Sequence, residues 1–250
     1  MLPIIQIGPF AIQTQGIVLL LGLWIGLVFA ERYASQRGQN PNTLYNLVFI
    51  SLIFGLIGGR ITYIFIYIDI FAKNPSSIFS INPDLFDLIG ALAIGLIAGY
   101  IYCRRKKVEL LPILDSLTPL LAVFGIAMAV SNLTSGVSYG AVTDLPWAIE
   151  LWGANRHPTQ IYEIISAVVI LIICWPSRKI WKNIYPGVYF LAYLILTAGS
   201  KLFMEAYQAN SATTFGGFRS VQVVAWLILL ISLWGMHRIR LAHINNKNDE

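Results

Sequence analysis

Charge is scarce in this chain. Only 12% of its 250 residues are Asp, Glu, Lys or Arg, and just 12 are acidic. A soluble domain carries about a quarter charged residues, so a surface solvated in the ordinary way is excluded. Cysteine occurs twice, at Cys103 and Cys174, too rarely for a disulfide framework. Histidine occurs three times, at His157, His237 and His243, with no spacing that suits a metal. Internal repeats and low-complexity tracts are also missing. What is abundant is apolar side chain: 57% of residues are hydrophobic and the mean hydropathy is +0.69. That balance is the mark of an integral membrane protein.

A bilayer core of about 30 Å requires roughly 20 predominantly apolar residues per helix. Runs of that kind fall near 11–30, 44–68, 85–103, 110–130, 159–176, 186–207 and 220–236. The expectation is an all-α, polytopic protein of seven transmembrane helices, a single membrane domain over 1–250 with a short tail at 240–250. No basic stretch precedes the first run and no small-residue cleavage site follows it, so it reads as a retained helix. Of 17 Lys and Arg residues, twelve fall on one side: Arg32, Arg37, Arg104, Arg105, Lys106, Lys107, Arg178, Lys179, Lys182, Arg238, Arg240 and Lys247. Lys73, Arg156 and Arg219 fall on the other, and Arg60 and Lys201 lie inside helices. The positive-inside rule then puts the N-terminus outside and the C-terminus in the cytoplasm. The net charge of +5 reports this topology, and no nucleic-acid partner is expected. Both cysteines fall at cytoplasmic helix ends in this scheme.

Chemistry must come from the polar minority. Arg60 follows two glycines in "GLIGGRITYIF"; a guanidinium at a helix centre costs about 2.5–3.5 kcal/mol unless it is paired, hydrated or snorkelling. It reads either as a cap on a neighbour's carbonyls or as a site residue. Lys201 and Glu205 are four apart in "GSKLFMEAYQ" and are expected to neutralise each other. The most concentrated polarity is "NRHPTQIYE", Asn155 to Glu163, which runs into the uncharged "IISAVVILIIC". Pro158 and Glu163 suit a helix N-terminus. Capping does not explain Arg156, His157, Gln160 and Glu163 together, and that mixture suits phosphate recognition. Upstream, Asn132, Ser135, Gly136, Ser138 and Gly140 interrupt the fourth helix with small and amide residues.

The motifs "MAVSNLTSGVSYGA", "TDLPWAI" and "RHPTQIYE", in this order, resemble those of the prolipoprotein diacylglyceryl transferase family. The likeness extends to "IGPFAIQTQGI", "GGRITYIF", "IAGYIYCRRKK", "FMEAYQ" and "SVQVVAW", nearly the whole chain. It implies a seven-helix protein of the bacterial cytoplasmic membrane that moves diacylglyceryl from phosphatidylglycerol to a lipobox cysteine thiol of a lipoprotein precursor, without a cofactor. The implied headgroup-binding residues are Arg60, Asn132, Gly140, Arg156, Gln160 and Glu163; the implied catalytic residues are His157, Lys201 and Glu205.

Several family positions differ here. The signature Arg is Ala129, its second Asn is Ser135, its Glu is Val137 and its closing Arg is Ala141. The helix-three His is Ile89, the helix-one Tyr is Gln15, the helix-six Arg is Lys201, and the Arg after the late Glu is Gln208. Three readings follow: a transferase working through Arg60, Arg156, Lys201 and His157, a related transferase with another acceptor, or a non-catalytic lipid-binding or assembly subunit whose partner is another membrane protein.

Overall fold

The computed structural model describes residues 4–7, 10–80, 85–175, 181, 184–209, 211–213 and 217–248. Among them are eight helices: α1 (Thr14–Gln36), α2 (Pro41–Ile66), α3 (Ile68–Lys73), α4 (Leu88–Arg105), α5 (Leu110–Ser135), α6 (Thr159–Ile173), α7 (Val188–Glu205) and α8 (Ser220–Asn248). Two antiparallel hairpins join them, β1 (Ile4–Ile7) with β2 (Phe10–Gln13) and β3 (Ile149–Leu151) with β4 (Ala154–Arg156). The protein is an all-α polytopic membrane fold to which these short hairpins are added.

Among the described residues, six helices are long and apolar enough to cross a membrane. The seventh expected span is α6, whose 15 residues cover only about 22 Å. Pro158 at its N-cap has no N–H to extend the helix, and β4 ends two residues before it, at Arg156. At the other end α8 continues to Asn248, through most of the stretch expected as a tail. Arg178, Lys179 and Lys182 lie outside the described residues.

The chain gathers into two compact units, Met1–Tyr33 with Leu114–Glu250, and Ala34–Ile113. In the second unit α2 and α4 run antiparallel along a seam of glycines. A Cβ on Gly95 would stand 2.8 Å from the Ser51 carbonyl oxygen, and one on Gly59 2.9 Å from that of Asp87. Backbone cannot yield as a flexible side chain does. Gly95→Leu is therefore expected to cost more than the usual 1–3 kcal/mol or so of overpacking, read as an early loss of α-helical signal on heating in detergent. An unchanged melt would mean that the helices are not held this close. Asp87 caps α4 by accepting from the Gly90 N–H at 2.6 Å. Arg60 is spent within this unit: its guanidinium donates to the carbonyls of Ser77 (2.7 Å), Leu85 (2.8 Å) and Ile78 (3.0 Å) and lies 5.5 Å from the ring centroids of Phe71 and Phe86. It is a carbonyl cap, one of the two roles expected of it.

In the first unit, α1 packs on α5 where Gly22 and Gly26 face Ala127 and Leu120. The Asp115 carboxylate of α5 accepts from the N–H groups of Gly187 (2.7 Å) and Phe190 (2.9 Å), capping the positive end of α7. The core here includes Tyr33, Ala122, Ile170, Trp181, Tyr189 and Tyr193. Tyr189 and Trp181 donate to the Cys174 and Ile173 carbonyls, which satisfies acceptors left open where α6 ends. Cys103 and Cys174 are both buried free thiols.

Candidate functional site

The irregular backbone after α5 is held by the polar head of α6. Ser135 and Thr134 hydroxyls donate back to the carbonyls of the preceding turn, and Gly136, at φ +73°, closes the helix in the left-handed conformation. The Thr159 hydroxyl then donates to the Ser138 carbonyl at 2.7 Å and the Gln160 amide to that of Val137 at 3.0 Å. Tyr139 and Ala141 bond to Ala209 and Tyr207, and the His157 N–H donates to the Ala141 carbonyl at 3.0 Å. Gly140 must be glycine here, because a Cβ would stand 2.2 Å from the His157 carbonyl oxygen. Arg156 donates to the carbonyls of Leu151 (3.0 Å) and Gly140 (3.3 Å), with its guanidinium 4.9 Å from the Tyr139 ring centroid. Non-helical backbone at membrane depth persists only where its polar groups are satisfied within the protein. Much of the polarity of "NRHPTQIYE" therefore acts as scaffold.

The exception is Glu163, one turn further along. Its carboxylate is buried and accepts from Lys201 Nζ of α7 at 2.5 Å and from the Gln208 amide at 3.1 Å. The expected Lys201–Glu205 pair does not form. Lysine placed four residues before glutamate is the weaker order on a helix, and α6 presents a carboxylate to the same ammonium. Glu205 is 1% exposed, and its Oε1 has no hydrogen-bond partner among the described residues. The Arg219 guanidinium donates to the Glu205 backbone carbonyl and not to this carboxylate.

Two cavities flank the α6–α7 pair. The first, of about 250 Å³, is a cleft between α5, α6 and α7. Asn132, Glu163, Ser200 and Lys201 are among its polar residues, with Ser166, Tyr193 and Thr197, and Leu121, Ala122, Phe124 and Ile170 give it apolar wall. The Lys201 side chain is 44% exposed against 6% for Glu163, so the ion pair has one buried and one accessible partner, and both line the cleft. Ala129, where the resemblance implies an arginine, also lines it. The second cavity, a groove of about 550 Å³, shares Ser166, Ile170, Ser200 and Met204 with the first. Its aromatic members include His157, Tyr162, Tyr207 and Trp147, the Trp147 indole donating to the Tyr162 hydroxyl at 2.8 Å. The His157 ring centroid is 5.2 Å from that of Tyr207, and its Nδ1 is buried without a hydrogen-bond partner among the described residues.

Asn132, Glu163 and Lys201 thus come together, and His157 lines the neighbouring groove. Arg156, Gln160 and Gly140 line neither, and Arg60 lies in the other unit. Sequence reasoning missed Tyr162, Tyr207 and Ser200, although both tyrosines stand inside the motifs quoted above. Gln208, noted only as a replaced arginine, proves to be a ligand of Glu163.

A cleft with a cation and amide among apolar walls suits an anionic amphiphile, and the chain's relatives agree. Residues 3–238 match the family model described as prolipoprotein diacylglyceryl transferase. The chain is 30% identical over 247 residues to the phosphatidylglycerol–prolipoprotein diacylglyceryl transferase of Clostridioides difficile, spanning 95% of this chain and 94% of the relative. It is 30% identical over 240 residues to that of Staphylococcus aureus strain Newman (91% and 85%) and 28% identical over 222 residues to that of Finegoldia magna (88% of each). With its apolar helices this makes it a multi-pass protein of the bacterial inner membrane. Matched along nearly its whole length, the chain belongs to the prolipoprotein diacylglyceryl transferase family.

Proposed function

We propose that this chain transfers the diacylglyceryl group of phosphatidylglycerol to the cysteine thiol of a lipoprotein precursor. A carbon–sulfur bond forms, the carbon–oxygen bond to the phosphate breaks, glycerol phosphate leaves and the thiol loses its proton. The observation that carries the reading is the α5–α7 cleft, where Lys201, held at 2.5 Å by Glu163, stands beside Asn132 among apolar walls. A fixed cation is what a departing phosphate needs as its charge grows. Glu163 and Gln208 position that cation. His157, in the neighbouring groove, takes the thiol proton, so the precursor's cysteine approaches from the aromatic side. A role confined to binding or assembly is not favoured, because the cation, amide and carboxylate stay assembled around one cleft.

The test is direct. The purified chain, in vesicles containing phosphatidylglycerol, is mixed with a lipobox peptide. A peptide mass gain of one diacylglyceryl group with release of glycerol phosphate is expected; vesicles of phosphatidylcholine should give none. No gain with either lipid overturns the reading.

We further infer that the N-terminus lies outside and that Arg104 to Lys107 and the C-terminus are cytoplasmic. A reporter fused after Glu250 that works only outside the cytoplasm would refute this.

A further inference from the structure

We propose that the α2–α4 face of the Ala34–Ile113 unit holds a second lipid, an anionic phospholipid of the surrounding leaflet, with one acyl chain in a groove and its phosphate on Arg105. This groove shares no lining residue with the α5–α7 cleft, and the proposal does not rest on the transferase reading. The groove, of about 390 Å³, is lined by Ile50 and Phe54 of α2 and by Ile94, Ile97, Ile101 and Arg105 of α4. It lies along helices that pack backbone to backbone through Gly55 and Gly95. Phe54, Ile97 and Ile101 stay about half exposed.

Its dimensions fit one leaflet. From Ile94 to Arg105 is eleven residues of α4, about 16 Å at the helical rise. Half of a hydrocarbon core of about 30 Å is nearly the same length. The groove therefore runs from the end of α4 to about mid-bilayer, as a single acyl chain does.

The charge at its end points to the headgroup. Arg105 lines the groove and is followed by Lys106 and Lys107, with Arg104 before it. Glu109 is the only acidic residue within five positions of Arg105. The side chains of these four cations make no hydrogen bond and no ion pair among the described residues. Nor are they needed to cap the helix. Lys107 turns into the left-handed region at φ 55°, and the N–H groups of Lys106, Lys107 and Val108 bond the carbonyls of Tyr102, Arg104 and Cys103. Arg60, in the same unit, is saturated by carbonyls, whereas Arg105 is free to bind phosphate in bidentate fashion. Tyr102, which also lines the groove, carries a hydroxyl that can serve as a second donor.

Phosphatidylglycerol carrying a photoreactive diazirine midway along one acyl chain tests this, with the full chain in nanodiscs and adducts mapped by peptide mass spectrometry. Adducts are expected on the peptide containing Ile94 to Ile101. The matching phosphatidylcholine probe should label it at least fivefold less. Arg105→Gln with Tyr102→Phe should reduce phosphatidylglycerol labelling at least fivefold. Ile97→Trp, which fills the groove at an exposed position without touching the charge, should do the same. Thermal melts of both variants in detergent that match the parent chain should report that they are folded. Equal labelling by the two probes, or unchanged labelling in either variant, overturns the proposal and leaves ordinary bulk lipid on this face.

Discussion

Lys201→Met should lower diacylglyceryl transfer by about 100-fold or more, the scale seen when one fixed donor to a developing anion is removed. The same change should destabilise the fold, because the buried Glu163 carboxylate keeps only the Gln208 amide at 3.1 Å. Removing one partner of a buried ion pair costs about 3–5 kcal/mol, and the 44% exposure of the Lys201 side chain places this pair at the lower end. The two effects separate in the double variant. Lys201→Met with Glu163→Gln leaves no uncompensated charge, so thermal stability should largely return while transfer does not. Lys201→Arg keeps the charge and should retain measurable turnover. Transfer assays with parallel melting curves check all three, and near-native transfer by Lys201→Met would remove this residue from the mechanism.

Gly140→Val should give a protein that fails to assemble the head of α6. The new Cβ would stand 2.2 Å from the His157 carbonyl oxygen and 2.6 Å from its Cβ. The carbonyl cannot retreat without disturbing the His157 N–H bond to Ala141 and the bridge between Gly140 and Gln208. Gln208 in turn is a ligand of Glu163, so damage here reaches the cleft. The loss should exceed the usual 1–3 kcal/mol or so of overpacking, read as low yield in detergent and loss of transfer. Two controls show that glycine itself is not the issue. Gly125→Ala would meet only the Tyr193 hydroxyl, at 3.7 Å, and should be close to neutral. A Cβ on Gly199, inside α7, meets nothing within 4 Å, so Gly199→Ala should stabilise by up to about 1 kcal/mol. A fully folded, active Gly140→Val would mean that the close approach to His157 is not required.

The long helices were legible because hydrocarbon imposes a length, and α1, α2, α5 and α7 fall where the predominantly apolar runs are. The hairpins were not: β3 and β4 have three residues each, and their turn carries Trp152 at φ 55° before Gly153, a conformation that tryptophan does not advertise. Asn132, His157, Glu163 and Lys201 were visible, but Tyr162, Tyr207 and Ser200 were not, and neither were the partners of the visible ones. Spacing along one helix suggested Lys201 with Glu205, whereas packing between helices supplied Glu163. In the same way Arg156 and Gln160, chosen for their chemistry, face carbonyls that only the path of residues 137–142 brings to them.

The brevity of α6 bears on how the protein is made. With 15 residues and a buried glutamate, it falls short of the roughly 17–25 apolar residues that a helix needs to enter a bilayer unaided. A lone ionised carboxylate makes that entry costlier still. α7 brings the matching ammonium, and at 2.5 Å the two enter hydrocarbon as a dipole and not as separate ions. A 15-residue helix with a buried glutamate therefore depends on α7 for its place in the fold, because α7 supplies the partner of that glutamate. The contact that sets Lys201 beside the cleft also compensates the one buried charge of a helix too short to be stable in hydrocarbon by itself.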